Sequence, residues 1–237
     1  MNLIILQTED FIGPGLARLT GRRLEHLRDV LRATPGKCCK VGLLNGRRGS
    51  GELLRCSAEA AELAVTLNSP PPAPPACKLV IALPRPQTLK KVLHAGITIG
   101  VKEFHFIHCF KVEKSYWSSP RLQPEALSDD ILAALEQSGD TLTPAIAFHR
   151  SFKPFVEDAL PAILAGTTAL VAHPYTDNRC PGGLEGPVSL VLGPEGGFTD
   201  YEVDRLTAAG CRPVRLGARI LRTEVALPVL LGRLGVF

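Results

Sequence analysis

An α/β domain preceded by a small β-rich barrel is the fold that this sequence predicts, and three observations carry it. The segment Asn68-Ser69-Pro70-Pro71-Pro72-Ala73-Pro74-Pro75 puts five prolines in six positions. They remove backbone donors and favour a stiff extended spacer, so the chain divides near residue 70. Beyond the spacer, apolar runs alternate with helical patterns, as suits a parallel sheet covered by helices. Ahead of it, short strand-like runs gather around glycine turns. The expected boundaries are a first domain over 1–69, a proline-rich linker over 70–76 and a second domain over 77–237.

In the first domain, Lys40 to Leu44 and Glu52 to Arg55 read as strands around Asn45-Gly46 and Gly49-Ser50-Gly51. Asn-Gly readily takes the positive φ angles of a tight hairpin turn, and a further strand fits Glu62 to Leu67. Arg22 to Arg32 (RRLEHLRDVLR) interrupts this with helical spacing. Leu24, Leu27 and Leu31 recur at three and four residues, which leaves the arginines on the other faces.

In the second domain, Lys78 to Leu83 reads as a buried strand, and Leu89, Val92, Leu93 and Ile97 mark the helix after it. Phe104 to Cys109 is the next strand, Pro124 to Gln137 a helix, Ala145 to Phe148 a strand and Lys153 to Leu164 a helix. Three apolar strands follow, Ala169 to Ala172, Val188 to Leu192 and Pro213 to Leu216. A helix from about Asp200 to Ala209 lies between the last two, and a final helix starts near Thr223.

At 237 residues and 45% hydrophobic content, the chain can bury a substantial core without disulfide or metal staples. Its 27 Lys plus Arg against 23 Asp plus Glu leave +4, far from a polybasic composition. The average hides a cluster. Between Arg18 and Arg55 there are ten bases and only three acids, Glu25, Asp29 and Glu52. Seven cysteines is an odd number, and Met1 to Gly13 lacks the positive start and apolar stretch of a signal peptide, so reduced thiols and a cytoplasmic location are expected. Val225 to Phe237, interrupted by Pro228, Gly232, Arg233 and Gly235, is too broken for a membrane span.

The most informative segment is the apolar strand Val188 to Leu192 running into Gly193-Pro194-Glu195-Gly196-Gly197-Phe198-Thr199. Thr199 with Glu202 three residues on forms a capping-box pattern. In open α/β sheets ligands sit beyond the carboxyl ends of strands, where glycine lets backbone approach a cofactor. The plainer reading is a tight strand-to-helix turn with no ligand. A second strand end, Leu216-Gly217-Ala218-Arg219-Ile220-Leu221-Arg222-Thr223-Glu224-Val225-Ala226, leads into a helix N-terminus that favours an anion or polar ligand. Its plainer reading is a cap at Thr223 with both arginines in surface ion pairs. A third strand end, at Ala172 and His173, neighbours them if the strands are adjacent.

Other chemistries lack support. No G-x-G-x-x-G, Walker sequence, G-x-S-x-G elbow or zinc-protease helix is present. His105, His108 and Cys109 resemble a ligand cluster, but on a strand His105 and His108 face opposite sides, so no metal is expected there. Cys38-Cys39 lacks C-x-x-C spacing, and Cys56, Cys77, Cys180 and Cys211 read as small buried hydrophobes.

GPEGGF (Gly193 to Phe198) followed by LGARILRTE (Leu216 to Glu224) resembles the C-terminal signature of the RsmE-type 16S ribosomal RNA uridine-N3 methyltransferases. Glu136-Gln137-Ser138-Gly139, VEKSYW (Val112 to Trp117) and HLRDVLR (His26 to Arg32) resemble the same family in the same order. The resemblance implies a PUA-like β-barrel followed by a SPOUT α/β domain with a deep trefoil knot, whose loops bind S-adenosylmethionine. It also implies a homodimer with the pocket beside the subunit interface, and 16S rRNA or the small ribosomal subunit as partner. The sequence departs from the family's more frequent residues at Asp140, where Arg is common, and at Val225, where Thr is common.

Carried onto this chain, the resemblance assigns Gly193, Glu195, Gly196 and Gly197 to the first cofactor loop. It assigns Leu216, Ile220, Leu221, Arg222 and Thr223 to the second, with Ala226 after it, and Ala172 and His173 to the remaining wall. Methyl transfer to a ring nitrogen is an in-line displacement in which positioning supplies much of the acceleration. Uracil N3 must also lose a proton, which makes Glu195 and Glu224 base candidates and Arg222 the electrostatic candidate. Arg22, Arg23, Arg28, Arg32, Arg47 and Arg48 suit phosphate contacts on structured RNA, and Lys114, Tyr116 and Trp117 suit either a flipped nucleotide or a dimer interface. Two alternatives remain at this point: a SPOUT enzyme acting on another RNA atom, and a catalytically silent RNA-binding assembly factor.

Overall fold

The computed structural model describes residues 1–236. The chain forms two compact units: Met1–Ala73 together with Leu132–Thr143, and Pro74–Ile131 together with the chain from Pro144 onward. The sequence boundary gave everything after residue 76 to the second domain. Leu132–Thr143 groups with the first unit because its polar atoms are bonded there. Arg22 holds the buried Glu136 carboxylate at 2.7 and 3.0 Å, Asn2 and Leu3 donate their N–H groups to the Glu136 carbonyl, and Thr141 Oγ1 donates to the Gly46 carbonyl. A single helix, Pro124–Ser138, carries residues of both units.

The first unit is built on a curled six-stranded sheet of order β1-β4-β5-β6-β3-β2. The strands are β1 (Ile4–Leu6), β2 (Phe11–Gly13), β3 (Leu16–Leu19), β4 (Cys38–Leu43), β5 (Arg48–Cys56) and β6 (Ala61–Ser69). Alternation fixes which side faces inward: Ala17 and Leu19 are buried while Arg18 between them is exposed. Ile4, Leu6, Val41, Leu53 and Leu63 complete the core with Leu24 and Leu27. These two leucines come from the predicted helical stretch, which is one α-turn (Gly21–Glu25) followed by a wider π-turn (His26–Val30).

The first three strands escaped the sequence reading because each has only three or four residues. The glycine turns also divide differently. Asn45 takes the left-handed conformation (φ 57°) between β4 and β5, whereas Gly46 has no positive φ and serves for space, since a Cβ there would sit 3.1 Å from Leu43. Gly49-Ser50-Gly51 is not a turn but lies inside β5. A side chain on Gly49 would collide with the Thr66 carbonyl of β6, at the point where the register of the pair shifts in a bulge.

The second unit is a six-stranded, wholly parallel sheet of order β12-β10-β11-β7-β8-β9. Its strands are β7 (Cys77–Ala82), β8 (Glu103–Ile107), β9 (Ala145–His149), β10 (Thr168–Ala172), β11 (Val188–Leu192) and β12 (Arg212–Val214). Every residue of β11 is buried, as its unbroken apolar run requires in a sheet covered on both faces. The helix Pro86–Ile99 buries the four positions that the spacing selected, Leu89, Val92, Leu93 and Ile97. The chain moves outward from β7 to β9 on one side and builds β10 to β12 on the other. The direction of winding therefore switches between β7 and β11, which is where open α/β sheets hold ligands.

Candidate functional site

The adjacent strands β12, β10 and β11 are parallel and so end on the same side, and the chain leaving them encloses a cavity of about 210 Å³. β10 supplies Ala172 and His173, β11 leads into Gly193 to Gly197, and β12 leads into Leu216 to Leu221. The helix Thr223–Leu234 closes the cavity with Thr223, Ala226 and Leu230. A spacing of three to four residues puts those three positions on one helical face.

The first loop is held tightly. Gly197 is left-handed (φ 71°) and donates its N–H to the Pro194 carbonyl at 2.8 Å. A Cβ on Gly193 would come within 3.0 Å of the buried Phe198 ring, so glycine is what lets the loop fold against that anchor. Thr199 and Glu202 then form the predicted capping box on the helix Asp200–Ala208. Neighbouring strand ends also grip the loop. The Arg85 N–H, just past β7, donates to Glu195 Oε1 at 3.1 Å, and Lys111, just past β8, donates from Nζ to the Gly196 carbonyl at 2.8 Å.

His173 donates its backbone N–H to the Val214 carbonyl at 2.9 Å and packs its ring edge-on to Tyr175. Burial pushes its pKa below the ordinary histidine value against the opposing pull of Asp200, which favours the neutral imidazole. The Tyr116 hydroxyl donates to Glu113 at 2.9 Å, and Tyr116, with the Glu195 and Glu113 carboxylates, holds the Arg85 pKa above its ordinary value.

Of the residues selected from the sequence, Ala172, His173, Gly193, Glu195, Gly196, Gly197, Leu216, Ile220, Leu221, Thr223 and Ala226 line this one cavity. Arg222 and Glu224 are outside the lining. Arg222 is the exposed N-cap of the last helix, and Glu224, one helical step from Thr223, turns toward Lys91 at 3.8 Å. Arg219, one of the two arginines of the second loop, also lines the cavity, whereas Tyr175 and Leu230 line it without having been selected, and neither were Arg85 and Lys111 on its rim. The strand-end rule that found the GPEGGF loop applies equally to β7 and β8, and was the available signal for the last two.

The selected arginines of the first unit divide by what they touch. Arg23 is bonded to the buried Asp10 carboxylate and to the Ile5 carbonyl, and Arg22 to Glu136. Arg47 donates to the Asn68 carbonyl, and Arg48 to the carbonyls of Pro70 and Gly139. Arg28 pairs with its exposed neighbour Asp29, and Arg32 is exposed in a left-handed conformation (φ 45°). Asp140, which stands where a cation is common in the resembled family, is buried and accepts the N–H groups of Thr141 and Leu142. In the second unit, Lys114 is exposed. Trp117 is buried, donates to His108 Nδ1 at 2.9 Å and carries the Arg150 guanidinium 5.1 Å from its ring centre.

The expected strand ends at Ile107, so His108 and Cys109 lie beyond it and strand alternation does not govern them. His105 bonds to His149 and Glu103 on one face of the sheet, while His108 serves Trp117. Cys77 and Cys211 are buried, which pushes both thiols up to about 12, and Cys180 is buried too, whereas Cys56 is half-buried.

Fold and site together define an α/β protein with a glycine-walled small-molecule crevice at the carboxyl ends of a parallel sheet. The chain belongs to the RNA methyltransferase domain family, whose match covers residues 71–235, and among its members to the group of the ribosomal RNA small subunit methyltransferases E. The Treponema pallidum protein of that name is 30% identical over 234 residues, spanning 95% of this chain and 87% of its own length. The Mycobacterium bovis protein of that name is 28% identical over 222 residues, spanning 89% and 82%. Among solved structures, the Neisseria gonorrhoeae ribosomal RNA small subunit methyltransferase E bound to S-adenosyl methionine superposes with a TM-score of 0.72 at 22% identity, covering 97% of this chain and 94% of its own. A Legionella pneumophila methyltransferase-like protein in complex with the cofactor SAM gives 0.73 at 23%, covering 97% and 96%. At these identities the likeness of the solved structures speaks for the fold.

Proposed function

We propose that this RNA methyltransferase transfers a methyl group from S-adenosylmethionine to N3 of a uridine in 16S rRNA. The observation that carries the reading is the convergence of the β10, β11 and β12 strand ends on one cavity, walled by Gly193 to Gly197 and Leu216 to Leu221. Its chemistry fits the cofactor. Leu192, Val214, Leu221 and Leu230 offer apolar surface for a nucleoside, the loops offer backbone polar groups, and Glu195 offers a carboxylate to a cationic ligand. When bound, the cofactor supplies an electrophilic methyl group on a sulfonium. Support for the substrate comes from family membership and from the relatives that act as ribosomal RNA small subunit methyltransferases.

The residues divide the work as follows. Gly193, Gly196, Gly197, Leu216, Ile220, Leu221, Thr223 and Ala226 hold the cofactor, with Ala172 and the neutral His173 closing the wall. Glu195 removes the N3 proton. It is favoured over Glu224 because it lines the cavity, with Oε1 oriented by the Arg85 N–H, while Glu224 faces Lys91. Arg222, next to the second loop, stabilises the anionic ring from the rim.

The finer architecture belongs to the same proposal: a PUA-like barrel over 1–69, a linker over 70–76 and a knotted SPOUT domain over 77–237, of which Leu132–Thr143 groups with the first unit. The barrel binds RNA phosphates through Arg28 and Arg32, which face solvent, assisted by Arg22, Arg47 and Arg48, while Arg23, expected among them, is committed to the buried Asp10. Lys114 and Tyr116 serve the RNA near the crevice. A homodimer is supported by the exposed apolar run Ile220, Leu221, Val225 and Val229 beside the cavity. Among the described residues no helix is long and apolar enough to cross a membrane, and a ribosomal substrate implies a cytoplasmic protein.

Two measurements test this reading. Calorimetric titration with S-adenosylmethionine should show binding, and its absence would favour a silent RNA-binding factor. Mass spectrometry of ribosomal RNA nucleosides from cells with and without the gene should show loss of 3-methyluridine. Loss of a ribose 2'-O-methyl group instead would move the acceptor to another atom.

A further inference from the structure

We propose that Phe110 and Tyr201 form a stacking platform for an unpaired RNA base flanking the target nucleotide. The location beside the target rests on the methyltransferase reading of the neighbouring crevice. Phe110 follows β8 and is 83% exposed, although Cys109 before it and Val112 after it are buried. Its backbone is fixed: the N–H donates at 2.7 Å to Glu202, whose carboxylate is buried and also accepts the Thr199 N–H at 2.8 Å. The anchored backbone lowers the ordering cost of binding at this position, although the exposed ring itself keeps its rotamer freedom.

Tyr201, 57% exposed, stands across the same shallow depression, which Phe152 and the Lys153 side chain also line and whose surface is almost wholly carbon. The occupant follows from three features. First, the platform adjoins the glycine loop of the crevice. Lys111, the next residue after Phe110, bonds the Gly196 carbonyl, and Tyr201 lies four residues beyond Gly197. Second, Lys153 lines the depression, Lys111 follows Phe110, and Arg150 lies over Trp117, which is bonded to His108 of the same lining; these exposed cations stand against the exposed Asp200 and the buried Glu202 carboxylate and suit a phosphate backbone. Third, an apolar floor with flanking cations offers a π-face and charge but few base-reading hydrogen bonds, which is how unpaired nucleotides are held irrespective of sequence.

The test uses the full-length protein and a uridine-containing single-stranded RNA of roughly ten nucleotides, with the same sequence as a duplex for control. Fluorescence anisotropy should show Phe110→Ala weakening single-strand binding by roughly ten-fold, Tyr201→Ala by less, and Phe110→Trp preserving it, while duplex binding changes little. Unchanged single-strand binding by Phe110→Ala overturns the proposal. So does an equal loss for duplex, or a shift in oligomeric state by light scattering, which would make Phe110 a subunit contact. Titration with S-adenosylmethionine reports separately on the crevice. If wild-type protein fails to bind it while Phe110→Ala still loses single-stranded RNA, the platform stands and the cofactor assignment falls.

Discussion

The buried carboxylate of Glu202 accepts the backbone N–H of Phe110 at 2.7 Å across 92 positions of sequence. One side chain thereby caps the helix after the glycine loop and ties that helix to the loop after β8. Burial and this same carboxylate also hold the Cys109 thiol well above its usual pKa. Glu202→Ala should therefore destabilise the protein by about 2–4 kcal/mol, since it removes a capping interaction and leaves a backbone donor unpaired. Urea denaturation checks this, and a loss near zero would show the two loops to be independent.

Glu195→Gln keeps the shape of the loop and the hydrogen bond from Arg85 but removes the base. The expected outcome is a fall in kcat of roughly 100-fold or more, with a much smaller loss of S-adenosylmethionine affinity from removing the carboxylate offered to its sulfonium. Glu224→Gln, pointed at Lys91, should change kcat much less. If both variants keep wild-type turnover, neither Glu195 nor Glu224 takes the proton.

Arg23 and the pair Arg28 and Arg32 should separate by assay. Arg23→Ala leaves the buried Asp10 carboxylate uncompensated and should lower stability by about 3 kcal/mol in urea melts. Changing Arg28 and Arg32 to glutamate should leave melting nearly unaltered, weaken RNA binding and flatten its dependence on salt. An unchanged salt slope would remove the N-terminal unit from the RNA interface.

Three histidines, His26, His149 and His173, are pushed below their ordinary pKa of 6.5, in each case chiefly by burial. For His26 the amino terminus and Arg22 add to the effect while Glu136 opposes it, and for His149 the neighbouring His105 adds to it. The unfolded chain then binds protons more readily than the folded one. Folding stability should be fully present above pH 6.5 and decline as pH falls below it. Urea midpoints at pH 7.5 and 5.5 measure this, and replacing the three residues with glutamine should reduce the slope.

Period and local chemistry alone determined much of this protein. The apolar run of β11, the spacing of Leu89, Val92, Leu93 and Ile97, and the Thr199–Glu202 capping box are written within a few residues of each other, so no distant contact was needed to read them. The cavity wall was legible in part: parallel strands end on the same side of the sheet, but only the order β12-β10-β11 makes these three ends neighbours. Tertiary structure decided what depends on contacts remote in sequence. Helical rotation sends Thr223 into the cavity and Glu224 toward Lys91, and only the packing of the last helix says which face is inside. Gly49 looked like a turn until β6 came alongside. Arg23 looked like a surface cation, yet it answers a charge at Asp10 that only folding buries, and Leu132–Thr143 joins the N-terminal unit through bonds to Asn2, Leu3, Arg22 and Gly46. A buried charge or a close backbone approach has no local signature, because it comes into being only when distant segments meet.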